Sequence, residues 1–218
     1  MTARDATTGS STTNQPTSTN QEGMAVTYSS GGKGSNWMVK RIFLAFNVTS
    51  YQTGYTITNL ELYYKPTTST TGSSGAGVKM ALVKSTAQGN ADTNLAAADI
   101  NNFDDTVDYA ANDGSADNTW RDLSTLSSVD LNSTAISAIT STGYLKICIM
   151  EYLYDYPDTA PTTNPTNMKA YANWSTVPYL SFTATPTGYS NNVIGVSSSN
   201  IDKVISIETA DIEKVIGV

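Results

Sequence analysis

Apolar and polar side chains alternate along several separate segments of the chain. In YTITNLELYYK, residues 55–65, the alternation places Leu60, Leu62 and Tyr64 on one face. A period of two, bounded by polar turns, is typical of a half-buried antiparallel strand. The same pattern predicts strands in MAVTY (24–28), WMVKRIFLAFNV (37–48), VKMALVK (78–84), YLKICIMEY (144–152) and VPYLSFTA (177–184).

The inward positions of these strands predict a common core. We expect it to contain Leu60, Leu62, Met80, Leu82, Leu145, Ile147, Ile149, Leu180 and Phe182. The long polar segments between the strands suit Greek-key or jelly-roll crossings better than a simple meander. Residues 24–186 are therefore predicted to form one all-β domain, an antiparallel jelly-roll β-sandwich.

One segment, residues 131–143 (LNSTAISAITSTG), has a helical pattern instead. Asn132 or Ser133 can cap its start, and Gly143 can end it. We expect one or two turns of helix here. The Pro-, Gly- and Thr-rich segments 66–77 and 157–167 are predicted to be loops.

The two ends of the chain differ from the middle. Residues 1–23 form a polar Thr/Ser/Asn/Gln arm, which has too little apolar surface to offset its ordering entropy. We expect this extended arm to become ordered only against a partner chain. Residues 187–218 contain an eleven-residue repeat, VIGVSSSNIDK, then VISIETADIEK, then VIGV.

The repeat places aliphatic side chains at fixed positions. They are Val193, Ile194, Val196, Ile201, Val204, Ile205, Ile207, Ile212, Val215 and Ile216. Eleven residues also fit three helical turns, but the β-branched positions and the internal glycines favour short strands of about four residues. Repeats of this type need about three copies to enclose a core. We expect the missing wall to come from other copies, with a trimer favoured; the alternative is that the segment packs on its own domain.

Composition narrows the possible functions. The 218 residues carry a net charge of −7 and only 14% charged side chains, so a nucleic-acid surface is disfavoured. The chain has no histidine and a single cysteine, Cys148, which lies in an apolar run and is expected to be buried. No catalytic triad with histidine can be formed, and no cofactor is predicted. The first residues lack the apolar stretch of a signal peptide, and no apolar run is long enough to span a membrane.

A cluster of aromatic residues is the first candidate for a binding site. Tyr152, Tyr154 and Tyr156 recur at every second position where a strand runs into a loop. Together with Trp174 they could form a platform on which sugars stack. Ordinary packing of tyrosines on a strand is the alternative.

Acidic residues form the second candidate. Asp113 and Asp117 in NDGSADN lie at spacings that resemble a calcium loop, although the glycine and the distal glutamate of an EF-hand are misplaced. A solvated turn is the favoured interpretation. Asp104, Asp105 and Asp108 could complete a site or lie in a loop. Paired carboxylates can hydrolyse glycosides, but catalysis is disfavoured, and we expect a protein that is not an enzyme.

The order of several motifs resembles that of a known family. RIFLAFNV, TITNLELYYK, DLS, LNSTAISAI, GYLKICI and VPYLSFTATPT follow one another over residues 37–186. This order resembles the jelly-roll modules of the DNRLRE type, which are related to carbohydrate-binding modules and occur in bacterial surface proteins and bacteriophage structural proteins. The terminal repeat is likewise similar to the C-terminal segments of phage virion proteins. These motifs are core-packing patterns, so the resemblance bears on the fold more than on an activity.

The resemblance and the repeat lead to two functional expectations. The favoured one is a bacteriophage virion structural protein: a fibre, spike or capsid decoration component that binds itself and other virion proteins. The alternative is a carbohydrate-binding or adhesive module of a bacterial surface protein. Surface glycans are possible partners in both cases, whereas nucleic acid and membranes are not expected.

Overall fold

The computed structural model describes twelve stretches of the chain. They are residues 25–31, 34–66, 70–71, 78–87, 95–110, 119–120, 127–152, 154–159, 168–170, 174–187, 203–204 and 207–208. Side chains are described at residues 38–64, 80–87, 95–110, 128–152, 154–159 and 177–187.

The described residues are mostly β-strands. The strands are β1 (Ala25–Gly31), β2 (Gly34–Lys40), β3 (Ile42–Asn47), β4 (Tyr55–Pro66), β5 (Thr70–Thr71), β6 (Val78–Ser85), β7 (Phe103–Asp108), β8 (Thr119–Trp120), β9 (Ser127–Asp130), β10 (Tyr144–Glu151), β11 (Met168–Ala170), β12 (Trp174–Pro186), β13 (Lys203–Val204) and β14 (Ile207–Glu208). One α-helix, α1 (Ser133–Thr142), precedes β10, and two short 3-10 helices span Thr49–Tyr51 and Ala97–Asn101. The predicted all-β class is confirmed.

All the described strand pairs are antiparallel, and they form four sheets. The five-stranded sheet has the order β3-β10-β6-β7, with β8 paired to β6. The three-stranded sheet has the order β12-β4-β9, and the four-stranded sheet has the order β2-β1-β11-β5. Among the described residues, strands β13 and β14 pair only with each other, and we call them the terminal hairpin.

A single hydrophobic cluster joins the five-stranded and three-stranded sheets. Ile147 and Leu82 enter it from the first sheet, Leu62 enters from the second, and Ile139 of α1 closes one side. Seven of the nine predicted core residues are buried, and Leu180 and Phe182 pack against the cluster while partly exposed. The predicted core is confirmed. Alternating apolar side chains are removed from water when the inward faces of the strands share one interior.

The predicted strand 37–48 is wrong in one respect, because the structure divides it at Arg41. β2 belongs to the four-stranded sheet, and β3 belongs to the five-stranded sheet. Arg41 lies between them with its side chain buried and bonded to a loop and to a 3-10 helix, as described below. A buried arginine needs partners that a regular strand neighbour would not supply, so the chain changes sheets at this residue.

A β-bulge in β4 sets which side chains point outward. Asn59 has a φ of 52°, and the register of β4 against β12 shifts opposite the Ser181–Thr183 step. Asparagine tolerates this left-handed conformation better than most residues. The extra residue lets both Ile57 and Leu60 enter the core, although their separation of three would place them on opposite faces of a regular strand.

Both faces of the central strands are buried, which differs from the half-buried strands predicted. Ala81 and Val83 of β6, with Cys148 and Met150 of β10, form a second cluster on the outer face of the five-stranded sheet. Residues 152 and 154–159, which we call the tyrosine loop, contribute the rings of Tyr152 and Tyr156 to this cluster. The predicted burial of Cys148 is confirmed.

The predicted helix is confirmed, and at ten residues it is longer than expected. The Asn132 side chain accepts hydrogen bonds from the N–H groups of Thr134 and Ala135 and so caps the helix. Gly143 ends it with a φ of 73°, where an added Cβ would lie 2.6 Å from the Thr49 methyl group.

Several predicted features lie outside the described residues. The arm 1–23, Asp113 and Asp117 are among them, as is most of the terminal repeat: Val193, Ile194, Val196, Ile201, Ile205, Ile212, Val215 and Ile216. In the terminal hairpin, Val204 lies opposite Ile207 and Lys203 opposite Glu208. Two antiparallel strands, β13 and β14, thus occupy the part of the repeat where one strand of about four residues was expected.

Candidate functional site

The tyrosine loop brings two of the predicted platform residues together. The rings of Tyr152 and Tyr156 are stacked, with centroids 5.6 Å apart and planes inclined by 14°. Both rings also pack against the second cluster, on Cys148 and its neighbours. These contacts are those of the packing alternative, while sugar binding at this loop stays a prediction.

A buried ion pair lies beneath this loop. Arg41 donates from Nε to Asp155 Oδ2 (2.9 Å) and from Nη2 to Asp155 Oδ1 (2.6 Å), which makes the pair bidentate. The two side chains are 1% and 0% exposed. Burial opposes the charge of Arg41, but the hydrogen bonds and charge of Asp155 raise the arginine pKa above its ordinary value. This buried, bidentate pair links the β2–β3 junction to the tyrosine loop.

Arg41 also binds the 3-10 helix Ala97–Asn101. Its Nη1 donates to the Asn101 side-chain oxygen at 2.7 Å and to the backbone oxygen of Ile100. Its guanidinium carbon lies 4.7 Å from the centre of the Phe103 ring, within cation–π range. One side chain therefore connects the β2–β3 junction, the 3-10 helix Ala97–Asn101 and the tyrosine loop.

Glu151 shapes the start of the loop. Its buried carboxylate accepts hydrogen bonds from the backbone N–H groups of Tyr154 (2.7 Å) and Asp155 (3.3 Å), and its carbonyl accepts one from Tyr156 (2.9 Å). Tyr154 thus contributes to the loop through its backbone. A buried carboxylate requires hydrogen-bond donors, and the backbone N–H groups of the turn after β10 supply them.

The acidic residues Asp104, Asp105 and Asp108, for which a site and a loop were the two alternatives, lie on strand β7. Asp108 of β7 accepts a hydrogen bond from the Tyr156 hydroxyl, at 3.2 and 3.1 Å from its two oxygens. Burial, together with the charge of Asp108, raises the pKa of Tyr156 to about 12. Hydrogen bonds from Thr106 lower the pKa of Asp104. The sequence thus identified two groups, tyrosines and aspartates, which meet in the structure.

The other candidates have less support from the geometry. Trp174 begins β12, and only its backbone is described. Within the described stretches, no group of three or more acidic or cysteine side chains is placed to hold a metal ion.

A second tyrosine pair, which the sequence did not single out, lies on the outer face of the three-stranded sheet. Tyr179 of β12 is directly opposite Tyr63 of β4, and their rings stack with centroids 5.2 Å apart and planes inclined by 5°. Tyr179 remains 40% exposed. The Tyr63 hydroxyl donates to Glu61 Oε2 at 3.1 Å, and this hydrogen bond raises the tyrosine pKa.

The sheet register surrounds this pair with polar groups. One row across the sheet contains Tyr179, Tyr63 and Ser128, and the next row contains Ser181, Glu61 and Asp130. We call these six residues the tyrosine face. The sequence indicated only that Glu61 and Tyr63 share the outward face of β4. It did not indicate their neighbours, because the pairing of β4 with β12 and β9 is long-range.

Comparison of the chain with protein-family models, with curated proteins and with solved structures found no significant match. Across the residues that the structure describes, no helix has the length and apolar character needed to cross a membrane.

Proposed function

We propose that this chain is a non-enzymatic structural protein of a bacteriophage virion, a fibre, spike or capsid decoration component that assembles as a homo-oligomer. The observation that carries the proposal is the eleven-residue repeat of residues 193–218. Its described part is a hairpin of two residues per strand. Such a hairpin is not stable alone in water, so it needs a further surface.

The burial of the aliphatic side chains is large enough for other copies to serve as that surface. Each repeat carries about four aliphatic side chains, whose burial contributes roughly 6–12 kcal/mol at about 1.5–3 kcal/mol each. Association costs about 4–15 kcal/mol, so the burial of two copies per chain offsets this cost over more of its range than the burial of one. A threefold arrangement supplies the third wall that two and a fraction copies lack.

A jelly-roll sandwich is the finer fold that we propose for the two sheets with a common core. The chain crosses repeatedly between these sheets: β3, β6, β7 and β10 lie in one, and β4, β9 and β12 lie in the other. β10 is inserted between β3 and β6, which precede it in the chain. This crossing pattern is the one expected of Greek-key and jelly-roll topologies rather than of a meander.

The roles of the acidic side chains support a structural rather than a catalytic function. Asp155 binds Arg41, Asp108 accepts from Tyr156, and Asp104 accepts from Thr106. Hydrogen bonds from Thr106 lower the pKa of Asp104 and so favour its ionised form, which accepts rather than donates protons. Asp155 and Asp108 thus join segments that are distant in sequence, and Asp104 makes a local bond within β7.

Deleting Val204–Val218 tests the assembly. We expect the truncated protein to keep its β-type circular dichroism and to sediment as a monomer, while the full chain sediments as a trimer. Val204→Lys should weaken assembly, and its control Thr209→Lys, at a polar repeat position, should leave it intact. A monomeric full chain, or a truncated protein that keeps its oligomeric state, would contradict the proposal. Mass spectrometry of purified particles tests the placement in a virion.

A further inference from the structure

We propose that the tyrosine face binds a neutral carbohydrate chain. Tyr179 and Tyr63 would provide the stacking surface, and Glu61, Ser181 and Asp130 would accept hydrogen bonds from sugar hydroxyls. The tyrosine loop, which packs on its own domain, is not part of this site. The inference goes beyond the proposed function and does not depend on assembly.

The geometry of the tyrosine pair suits a flat ligand. The two rings cover one face of each other, and β12 is the outer strand of the described sheet order. The second face of the Tyr179 ring therefore borders no further strand of that sheet, in agreement with its 40% exposure. A tyrosine presents a rigid apolar body and a polar tip, which matches the alternating C–H and O–H surfaces of a sugar ring.

The neighbouring row provides the directional contacts. Glu61 is directly opposite Asp130, and Ser181 is opposite Glu61 on the other side. Like charges opposite each other destabilise a sheet, and ligand hydroxyls that donate to both carboxylates would relieve this repulsion. The same carboxylates disfavour an anionic ligand. A few polar groups beside an aromatic surface are a common arrangement in small-ligand sites.

The β-bulge in β4 makes this arrangement possible. In a regular strand Ile57 would share a face with Glu61 and Tyr63, because the separations are even. The bulge at Asn59 instead buries Ile57 and turns Glu61 and Tyr63 outward. Bulges of this kind commonly re-aim side chains next to functional sites.

Calorimetry on the full chain tests the inference. The probes are cellohexaose, maltohexaose, xylohexaose and mannohexaose at millimolar concentrations, with an oligogalacturonate of similar length as the charged comparison. We expect at least one neutral oligosaccharide to bind and the oligogalacturonate to bind more weakly. Tyr179→Ala should reduce the affinity about tenfold or more, and Glu61→Gln should reduce it less. Tyr51→Ala is the matched control, since Tyr51 is 36% exposed and contacts Tyr55 and Phe182 instead.

Three results would overturn the inference. The first is that no neutral oligosaccharide binds. The second is that Tyr179→Ala binds as tightly as the unaltered chain, or that Tyr51→Ala loses as much affinity. The third is that Tyr179→Ala changes the sedimentation of the protein, because the face would then be a contact between protein chains. A monomer that binds sugar through Tyr179 would support this inference and contradict the proposed assembly, so the two failures are distinguishable.

Discussion

Two tyrosine pairs with nearly the same ring geometry occupy different environments. Tyr152 and Tyr156 stack at 5.6 Å over the five-stranded sheet, and Tyr63 and Tyr179 stack at 5.2 Å over the three-stranded sheet. The first pair rests on a hydrophobic cluster, and the buried Arg41 anchors its loop from below. The second pair stands on an outward sheet face without a covering loop among the described residues.

The difference shows that aromatic stacking by itself does not identify a binding site. What separates the two pairs is the remaining surface of each ring and the use of the nearby carboxylates. Asp108 accepts from the Tyr156 hydroxyl, and the Glu151 carboxylate accepts from the backbone of the tyrosine loop. Glu61 and Asp130 lie beside the second pair on an accessible face. The first pair therefore stabilises the domain, and the second is available to a ligand.

The largest expected effect comes from breaking the ion pair under the tyrosine loop. Arg41→Met leaves Asp155 buried without its counter-charge, which should lower the free energy of unfolding by about 3–5 kcal/mol. Chemical denaturation followed by fluorescence measures this. The control is the double variant Arg41→Met with Asp155→Leu, which removes both charges and should recover most of the loss. A single variant as stable as the unaltered protein would show that the pair does not hold the loop.

Removing one ring from each pair compares them directly. Tyr156→Ala should cost about 3 kcal/mol, because it removes a ring packed on the second cluster and leaves a cavity. Tyr179→Ala should cost about 1 kcal/mol, because the half-exposed ring loses mainly the aromatic contact with Tyr63. Equal losses in thermal or chemical denaturation would mean that the two pairs do not differ as described.

The smallest effect is a dependence on alkaline pH. Tyr156 and Tyr109 have pKa values raised to about 12 in the fold, against 10.0 for an ordinary tyrosine. The folded chain holds these protons more tightly, so this part of the stability is complete below pH 10 and is lost as the pH rises through about 12. Tyr156→Phe should make the loss of stability over this interval shallower, as measured by denaturation at stepped pH.

Asp108→Asn is the companion variant for this measurement. It removes the charge that faces the phenol, so the absorbance titration of Tyr156 should move toward lower pH. An unchanged titration would show that burial alone, without Asp108, accounts for the shift.

The sequence by itself was sufficient for those features that depend on local order. Alternation in residues 55–65 identified β4 and its inward side chains, and Asn132 and Gly143 identified the ends of α1. These signals are readable because strand parity and helix capping involve residues within a few positions of each other. The same holds for Cys148, whose apolar neighbours indicated burial.

Only the tertiary structure decided which strands pair and what covers each face. The division of the chain at Arg41 depends on Asp155, which is far away in sequence, and β7 becomes a strand by pairing with β6 despite its three aspartates. The pairing of Tyr63 with Tyr179 likewise requires β4 and β12 to be adjacent. Periodicity records which residues share a face of one strand, but the partner of that face is set by long-range packing, which a local pattern does not encode.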